Sequence, residues 1–175
     1  MLKAGTKAPK FSLSDENGEV RTLSEFLTKG PLILYFYPAD FTPGCTKEAC
    51  SIRDLHDDII KSGLQIIGVS PQSAESHTRF RETHKLPFPL MADEDKTVIK
   101  AYDVNGPLGI GVRRATFLID ADGVIQDAVL ADVFIGQHTD FMKEVNRLKI
   151  RQKCSEATQS NQDYYAAKRE IGELK

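Results

Sequence analysis

The sequence predicts an α/β domain in which helices sandwich a mixed central sheet. Continuous apolar runs recur at "PLILYFY" (31–37), "LQIIGVS" (64–70) and "RATFLID" (114–120), the pattern of central strands covered on both faces. Between the first two, Ala49, Ile52, Leu55 and Ile59 are spaced by three and four residues, as on an amphipathic helix. Turn signals at Asn17-Gly18 and at "DADG" (120–123) fold flanking segments into hairpins.

Taken in order, "FSLSDENGEVRTL" reads as two strands around the Asn-Gly turn. The run 31–37 follows and breaks at Pro38; a helix then extends from after Thr42 to Lys61, with Gly63 as its stop. After the strand at 64–70, Ser73 is placed to cap a helix through "AESHTRFRETHK". "PFPLMAD" reads as a short strand, and Asp95 as the cap of a helix through "KTVIKAY". The strand at 114–120 turns at "DADG" into "VIQDAVL", and a last helix over about 137–153 closes the domain. Residues 151–175, "RQKCSEATQSNQDYYAAKREIGELK", are polar without a clear apolar stripe and form an extension or a loose tail. There is no internal repeat.

At 175 residues the chain is long enough for one domain with a substantial core. A net charge of -2 gives no basic excess to hold a phosphate backbone, which argues against nucleic acid as a partner. No stretch approaches the roughly 20 apolar residues of a membrane span, and "MLKAGTKAPKF" lacks the apolar segment of a secretion signal, so a cytoplasmic protein is expected. Three cysteines in a reducing compartment favour free, catalytic or metal-bound thiols over a disulfide framework.

Cys45 falls in the first turn of the predicted helix after Thr42, Pro43 and Gly44, where unpaired backbone N–H groups and the helix dipole favour a thiolate. An ordinary thiol, with a pKa of about 8.5, is only about 3% ionised at pH 7, and bringing it to about 6 takes roughly 3.4 kcal/mol. The dipole supplies at most about 2 kcal/mol, so a further cation is expected. Arg113 or Arg114 can provide it, but only one of them, because successive strand residues face opposite sides. A low pKa alone makes a modest nucleophile. Strong acceleration needs donors aimed at a breaking bond, and the backbone N–H groups of Gly44 and Cys45, the Thr42 hydroxyl and an arginine are suitable types.

Cys50 lies five residues beyond Cys45. In a helix that interval separates the Cα atoms by about 8.6 Å, beyond the roughly 4.4–6.8 Å of a disulfide. If the two thiols join, the helix must fray, and its first turns must be marginally stable.

"YFYPADFTPGCTKEAC" resembles the signature of peroxiredoxins, in particular the bacterioferritin comigratory protein or peroxiredoxin Q subgroup. Pro38, Thr42, Cys45 and Cys50 stand at the expected offsets, and "RATFLIDADGVI" supplies the family arginine as Arg114. The similarity extends over about residues 1–150, including "GTKAPKFSL" and "FPLMADED"; residues 151–175 lie outside it. The resemblance implies a thioredoxin-like fold and thiol-dependent reduction of hydrogen peroxide and organic hydroperoxides. It implies Cys45 as the peroxidatic thiolate, which becomes a sulfenic acid, with Thr42 and the Cys45 N–H holding the peroxide. Pro38 would shield the site from water, Arg114 would stabilise the thiolate and transition state, and Glu48 resembles the glutamate that orients this arginine. Cys50 resembles the resolving cysteine, forming an intramolecular disulfide that thioredoxin or a similar dithiol protein reduces. No metal, haem, flavin or other cofactor is implied, and the subgroup is often monomeric, so a monomer or weak homodimer is expected.

Other readings of these residues are blander. Cys50 can be a buried helix cysteine, Thr42 an N-cap and Pro38 a strand terminator; the last two can be structural and catalytic together. Arg113 reads as a solvated neighbour, and Cys154 as an incidental thiol with a resolving role as the alternative. The set Cys45, Cys50 and His56 fits no common zinc spacing and lacks a fourth ligand. His77, His84 and His138 read as isolated surface or satisfied histidines. "GPLGIG" (106–111) resembles a phosphate loop but precedes a strand, so no helix N-terminus receives an anion there. A thioredoxin-type oxidoreductase would have Cys-x-x-Cys and, by family resemblance, a cis-proline where Ala115 precedes Thr116. A redox sensor or holdase is the non-enzymatic alternative.

Overall fold

The computed structural model describes residues 1–130 and 140–145. The chain forms strands β1 (Ser12–Asp15) and β2 (Val20–Thr22), helix α1 (Leu23–Leu27), β3 (Leu32–Phe36), α2 (Pro43–Lys61), β4 (Gln65–Ser70), α3 (Ala74–His84), β5 (Leu90–Ala92), α4 (Thr97–Ala101), β6 (Ala115–Ile119) and β7 (Ile125–Leu130). Residues 140–145 are helical, with Met142 and Val145 buried; they belong to the helix expected over 137–153. The remainder of that helix, His138, Cys154 and the extension 151–175 lie outside the described residues.

The strands make one seven-stranded mixed sheet in the order β2-β1-β5-β4-β3-β6-β7. β3, β4 and β5 run parallel, while β6 pairs antiparallel with β3 and β7 antiparallel with β6. The expected N-terminal hairpin forms around Gly18 and adds to the sheet by pairing β1 with β5.

The apolar runs bury both faces of the sheet. Leu32, Leu34 and Phe36 of β3 enter one core with α1 and α4, whereas Ile33, Tyr35 and Tyr37 enter the other, beneath α2 and α3. Alternation along the strand thus divides a continuous apolar sequence between two cores. α2 buries Cys45, Glu48, Ala49, Ile52 and Ile59, a stripe that fixes which way its N-terminal thiol points. Beyond its C-terminus, Gly63 adopts φ +84. Gly63 N–H donates to Ile60 O at 2.9 Å and Leu64 N–H to Ile59 O at 3.2 Å, the pair of bonds that closes a Schellman motif.

Two local features differ from the sequence expectation. The cap of α4 is Asp93, not Asp95: the buried Asp93 carboxylate accepts from Thr97 Oγ1 at 3.1 Å, Val98 N–H at 3.3 Å and Ile99 N–H at 2.7 Å. Lys96 takes the left-handed junction position (φ +55), so Asp93 reaches over the turn to the free N–H groups while Asp95 remains exposed. The single-turn helix α1 was not expected. Its capping box, Thr22 with Glu25, stabilises a segment too short to show helical periodicity.

Candidate active site

The peptide leaves the end of β3 through Tyr37 and Pro38 and re-enters regular structure at Thr42, the N-cap of α2. Thr42 is extended (φ -72, ψ 145), its Oγ1 accepts from Cys45 N–H at 3.4 Å and its hydroxyl donates to Ala39 O at 3.3 Å. Pro43 begins the helix, where a missing N–H costs nothing. Cys45 therefore lies in the first turn, 2% exposed, with Gly44 and Pro38 half-buried beside it in the chain.

The cation expected near this thiol is Arg114. Its Nη2 donates to Cys45 Sγ at 3.2 Å and its Nη1 to Glu48 Oε2 at 2.7 Å. Strand parity selects it over Arg113. Leu118 of β6 faces the core beneath α2, whereas Ala115 and Phe117 face the opposite one; Arg114 shares the parity of Leu118, and Arg113 that of Ala115. The main-chain N–H of Arg113 donates to Val104 O at 2.8 Å. Glu48 follows Cys45 by three residues on the same buried face of α2, so one guanidinium reaches both.

The electrostatics follow from burial. Burial pushes the Glu48 carboxyl up to about 7, although the charge and hydrogen bond of Arg114 pull the other way. Burial works against the Arg114 charge as well, but Cys45 and Glu48 outweigh it and hold the guanidinium above its ordinary value. Tyr35 and Tyr37, buried under α2 and α3, are pushed well above the ordinary phenol range by burial first, so both are neutral. The Cys45 sulfur thus faces the Arg114 guanidinium and the N-terminus of α2 inside an otherwise apolar wall.

Cys50 is half-buried, and both Cys45 and Cys50 are free thiols. α2 is continuous across them, which keeps their Cα atoms about 8.6 Å apart. His56 is half-buried near Asp57 and Phe88, and among the described residues no three His, Cys, Asp or Glu side chains converge to hold a metal ion. In the "GPLGIG" segment a single 3-10 turn, Pro107–Gly109, stands where a phosphate loop would have a helix.

A polar cluster beside the loop escaped the sequence reading. Asp40, between Pro38 and Thr42, is buried and accepts from Tyr37 Oη at 2.8 Å, Ser76 Oγ at 2.7 Å and His77 Nδ1 at 2.9 Å. His77 is fully buried on α3, so of the two readings given to it, the satisfied histidine holds. The available signal was its place three residues before Phe80, on the same face of α3. Its partner lies 37 residues away, and no local spacing joins them.

A cysteine at a capped helix N-terminus, fixed against a strand arginine that also grips the helix, is suited to two-electron thiol chemistry, and comparison with known proteins places it. The AhpC/TSA family model matches residues 4–128. The chain is 38% identical to peroxiredoxin Bcp of Bacillus subtilis over 168 residues, covering 93% of this chain and 96% of that one. A crystal structure of peroxidoxin BcpB from Mycobacterium tuberculosis superposes with a TM-score of 0.79 at 35% identity, covering 85% of this chain and 98% of that one. Xanthomonas campestris bacterioferritin comigratory protein, whose structures concern its alkyl peroxide reduction activity, matches with a TM-score of 0.72 at 32% identity over 79% of this chain and 90% of that one. The mixed sheet with its flanking helices is thus the thioredoxin-like fold of these enzymes, and the chain belongs to the AhpC/TSA family as a thiol peroxidase of the Bcp/peroxiredoxin Q group.

Proposed function

We propose that Cys45 is the peroxidatic nucleophile and Cys50 its resolving partner, in an enzyme that reduces hydrogen peroxide and organic hydroperoxides. The Cys45 thiolate attacks one peroxide oxygen; the S–O bond forms, the O–O bond breaks, and the departing oxygen takes a proton and leaves as alcohol or water. Sulfur loses two electrons and becomes a sulfenic acid. The observation that carries this reading is the guanidinium of Arg114, 3.2 Å from Sγ and held by Glu48 at 2.7 Å. It offsets the thiolate charge and stands where the negative charge of the breaking O–O bond develops.

The Thr42 hydroxyl and the Cys45 N–H now make long bonds of 3.3 and 3.4 Å, which are easily exchanged for peroxide oxygens. With the Gly44 N–H they complete the donor set, while Pro38 limits water at the sulfur. Cys50 then attacks the sulfenic sulfur, water leaves, and a Cys45–Cys50 disulfide forms after the first turns of α2 open. Thioredoxin or a similar dithiol protein supplies the two electrons that restore the thiols. The thiols carry all the electrons, so the cycle needs no metal, haem or flavin. Organic hydroperoxides are included because the X. campestris relative is described by its alkyl peroxide reduction. We assign the catalytic domain to residues 1–150, with 151–175 as an extension, and place it in the cytoplasm as a monomer or weak homodimer. No helix among the described residues is long and apolar enough to cross a membrane.

The test is peroxide consumption with thioredoxin, its reductase and NADPH. Cys45→Ser is expected to abolish turnover; full activity in that variant ends the proposal. Cys50→Ser is expected to form one equivalent of sulfenic acid and then stall. Unchanged thioredoxin-linked turnover would transfer the resolving role to Cys154 or to an external thiol.

A further inference from the structure

We propose that Asp40 and His77 are positioning residues that hold the loop before α2, and that the strength of this clamp sets the balance between peroxide attack and disulfide formation. Asp40 lies two residues before the Thr42 cap and five before Cys45. Its carboxylate takes three donors: Ser76 and His77 from α3, and Tyr37 from the end of β3. Nδ1 of His77 faces Asp40 Oδ2 at 2.9 Å and Nε2 faces Met91 O at 3.3 Å. The two side chains are 0% and 1% exposed, so the His77 ring joins the loop to both α3 and β5 inside the core. The groups facing the ring are Asp40 and Tyr37 from the β3 side and the Met91 carbonyl from β5. Burial opposes ionisation of Asp40, but the hydrogen bond and charge of His77, with the Ser76 and Tyr37 hydroxyls, hold its carboxyl below the ordinary value.

A second contact makes the clamp specific to this loop. Phe41, between Asp40 and Thr42, has φ +58, a left-handed conformation that a bulky residue adopts only when its surroundings enforce it. Its ring packs on Phe80 at 5.2 Å and His84 at 6.1 Å, both on α3. The Asp40 hydrogen bonds and the Phe41 ring therefore tie the loop to α3 at the strained residue and at the one before it. Thr42 follows directly and caps the helix at Cys45. Peroxide attack needs this arrangement intact, because Thr42, the Cys45 N–H and Arg114 must converge. Disulfide formation needs the first turns of α2 released. Weakening the clamp is thus expected to move the two steps in opposite directions, whereas general loss of stability would not.

The experiment compares the wild type with Asp40→Asn, Ser76→Ala and the neutral pair Asp40→Asn/His77→Gln in the full chain. The chain has no tryptophan, so the steps are followed by rapid quenching with an alkylating agent and mass spectrometry, using hydrogen peroxide. Asp40→Asn and the neutral pair are expected to oxidise Cys45 about tenfold more slowly, to form the disulfide severalfold faster, and to accumulate less sulfinic acid at high peroxide. Ser76→Ala removes one donor without stranding a buried charge and should show the same opposed changes at about threefold; it decides the matter if the others do not fold. Rates equal to wild type, or both steps slowed together, overturn the clamp. The proposal rests on the roles given to Cys45 and Cys50. A wild type that forms no Cys45 sulfenic acid or no Cys45–Cys50 disulfide defeats that reading, whereas normal wild-type chemistry with indifferent variants defeats only the clamp.

Discussion

Arg114 donates to Cys45 Sγ at 3.2 Å through Nη2, while its Nη1 is held on Glu48 Oε2 at 2.7 Å. A cation tied to the same helix as the thiol keeps its place as sulfur changes charge, so little reorganisation accompanies the reaction.

Loss of this arginine is therefore expected to be costly. Arg114→Ala should lower the second-order rate of peroxide consumption by about 100- to 1,000-fold, the usual effect of removing one transition-state donor. Arg114→Lys keeps the charge but not the fork that spans Cys45 and Glu48, and should lose at least about tenfold. A lysine variant with wild-type rate would show that charge alone suffices.

Glu48 makes stability depend on pH in an unusual direction. Its folded carboxyl has a pKa of about 7 against an ordinary 4.5, so between those values the folded state binds more protons than the unfolded one. Stability then falls as pH rises from about 4.5 to about 7, by of the order of 3 kcal/mol. In Glu48→Gln this component disappears. Urea unfolding from pH 4.5 to 8 should show the wild type losing stability relative to the variant as pH rises; parallel curves would contradict it.

Thr42 combines a cap with a donor, and the two functions separate in substitution. Thr42→Val removes the oxygen that accepts from Cys45 N–H, and should cost about 1 kcal/mol of stability and at least about tenfold in the rate of Cys45 oxidation. Thr42→Ser should restore both. Oxidation at wild-type rate in the valine variant would leave Thr42 a cap only.

Gly68 is fixed by packing. A Cβ there would lie 2.7 Å from the Tyr35 ring and 2.8 Å from Leu90 Cδ2, and the Tyr35 ring underlies the active-site helix. Gly68→Ala should destabilise the protein by about 1–3 kcal/mol through overpacking. Thermal melting at wild-type temperature would show that Tyr35 has room to move.

What the sequence revealed of this site is what local patterning encodes. The two-sided burial of β3, the helix at Cys45, its Gly63 stop and the Ser73 cap all rest on neighbouring residues, and all appear in the structure. The choice between Arg113 and Arg114 needed the strand's parity relative to α2, which spacing left open and the family resemblance supplied. Position pointed to Asp95 as the cap of α4, but the buried carboxylate of Asp93 takes its N–H groups across the turn. The Asp40–His77 pair joins segments brought together only when α3 packs beside β3. Tertiary contacts of that kind carry no periodic signal.

The spacing of the two cysteines leads to a last prediction. α2 is continuous from Pro43 to Lys61, so a Cys45–Cys50 disulfide requires opening of the turn between them, and the rate of that step should follow local helix stability. Lys47 is exposed within this turn. Lys47→Gly lowers helix propensity by about 0.7 kcal/mol without removing a buried contact, which corresponds to roughly threefold easier opening. Disulfide formation after a single peroxide turnover should accelerate by about that factor, while the Cys45 oxidation rate changes little. Thr46→Ala, which raises propensity by a similar amount, should slow disulfide formation and increase sulfinic acid at high peroxide. If both variants resolved at the wild-type rate, opening of α2 would not limit the step, and the thiols would meet by another motion.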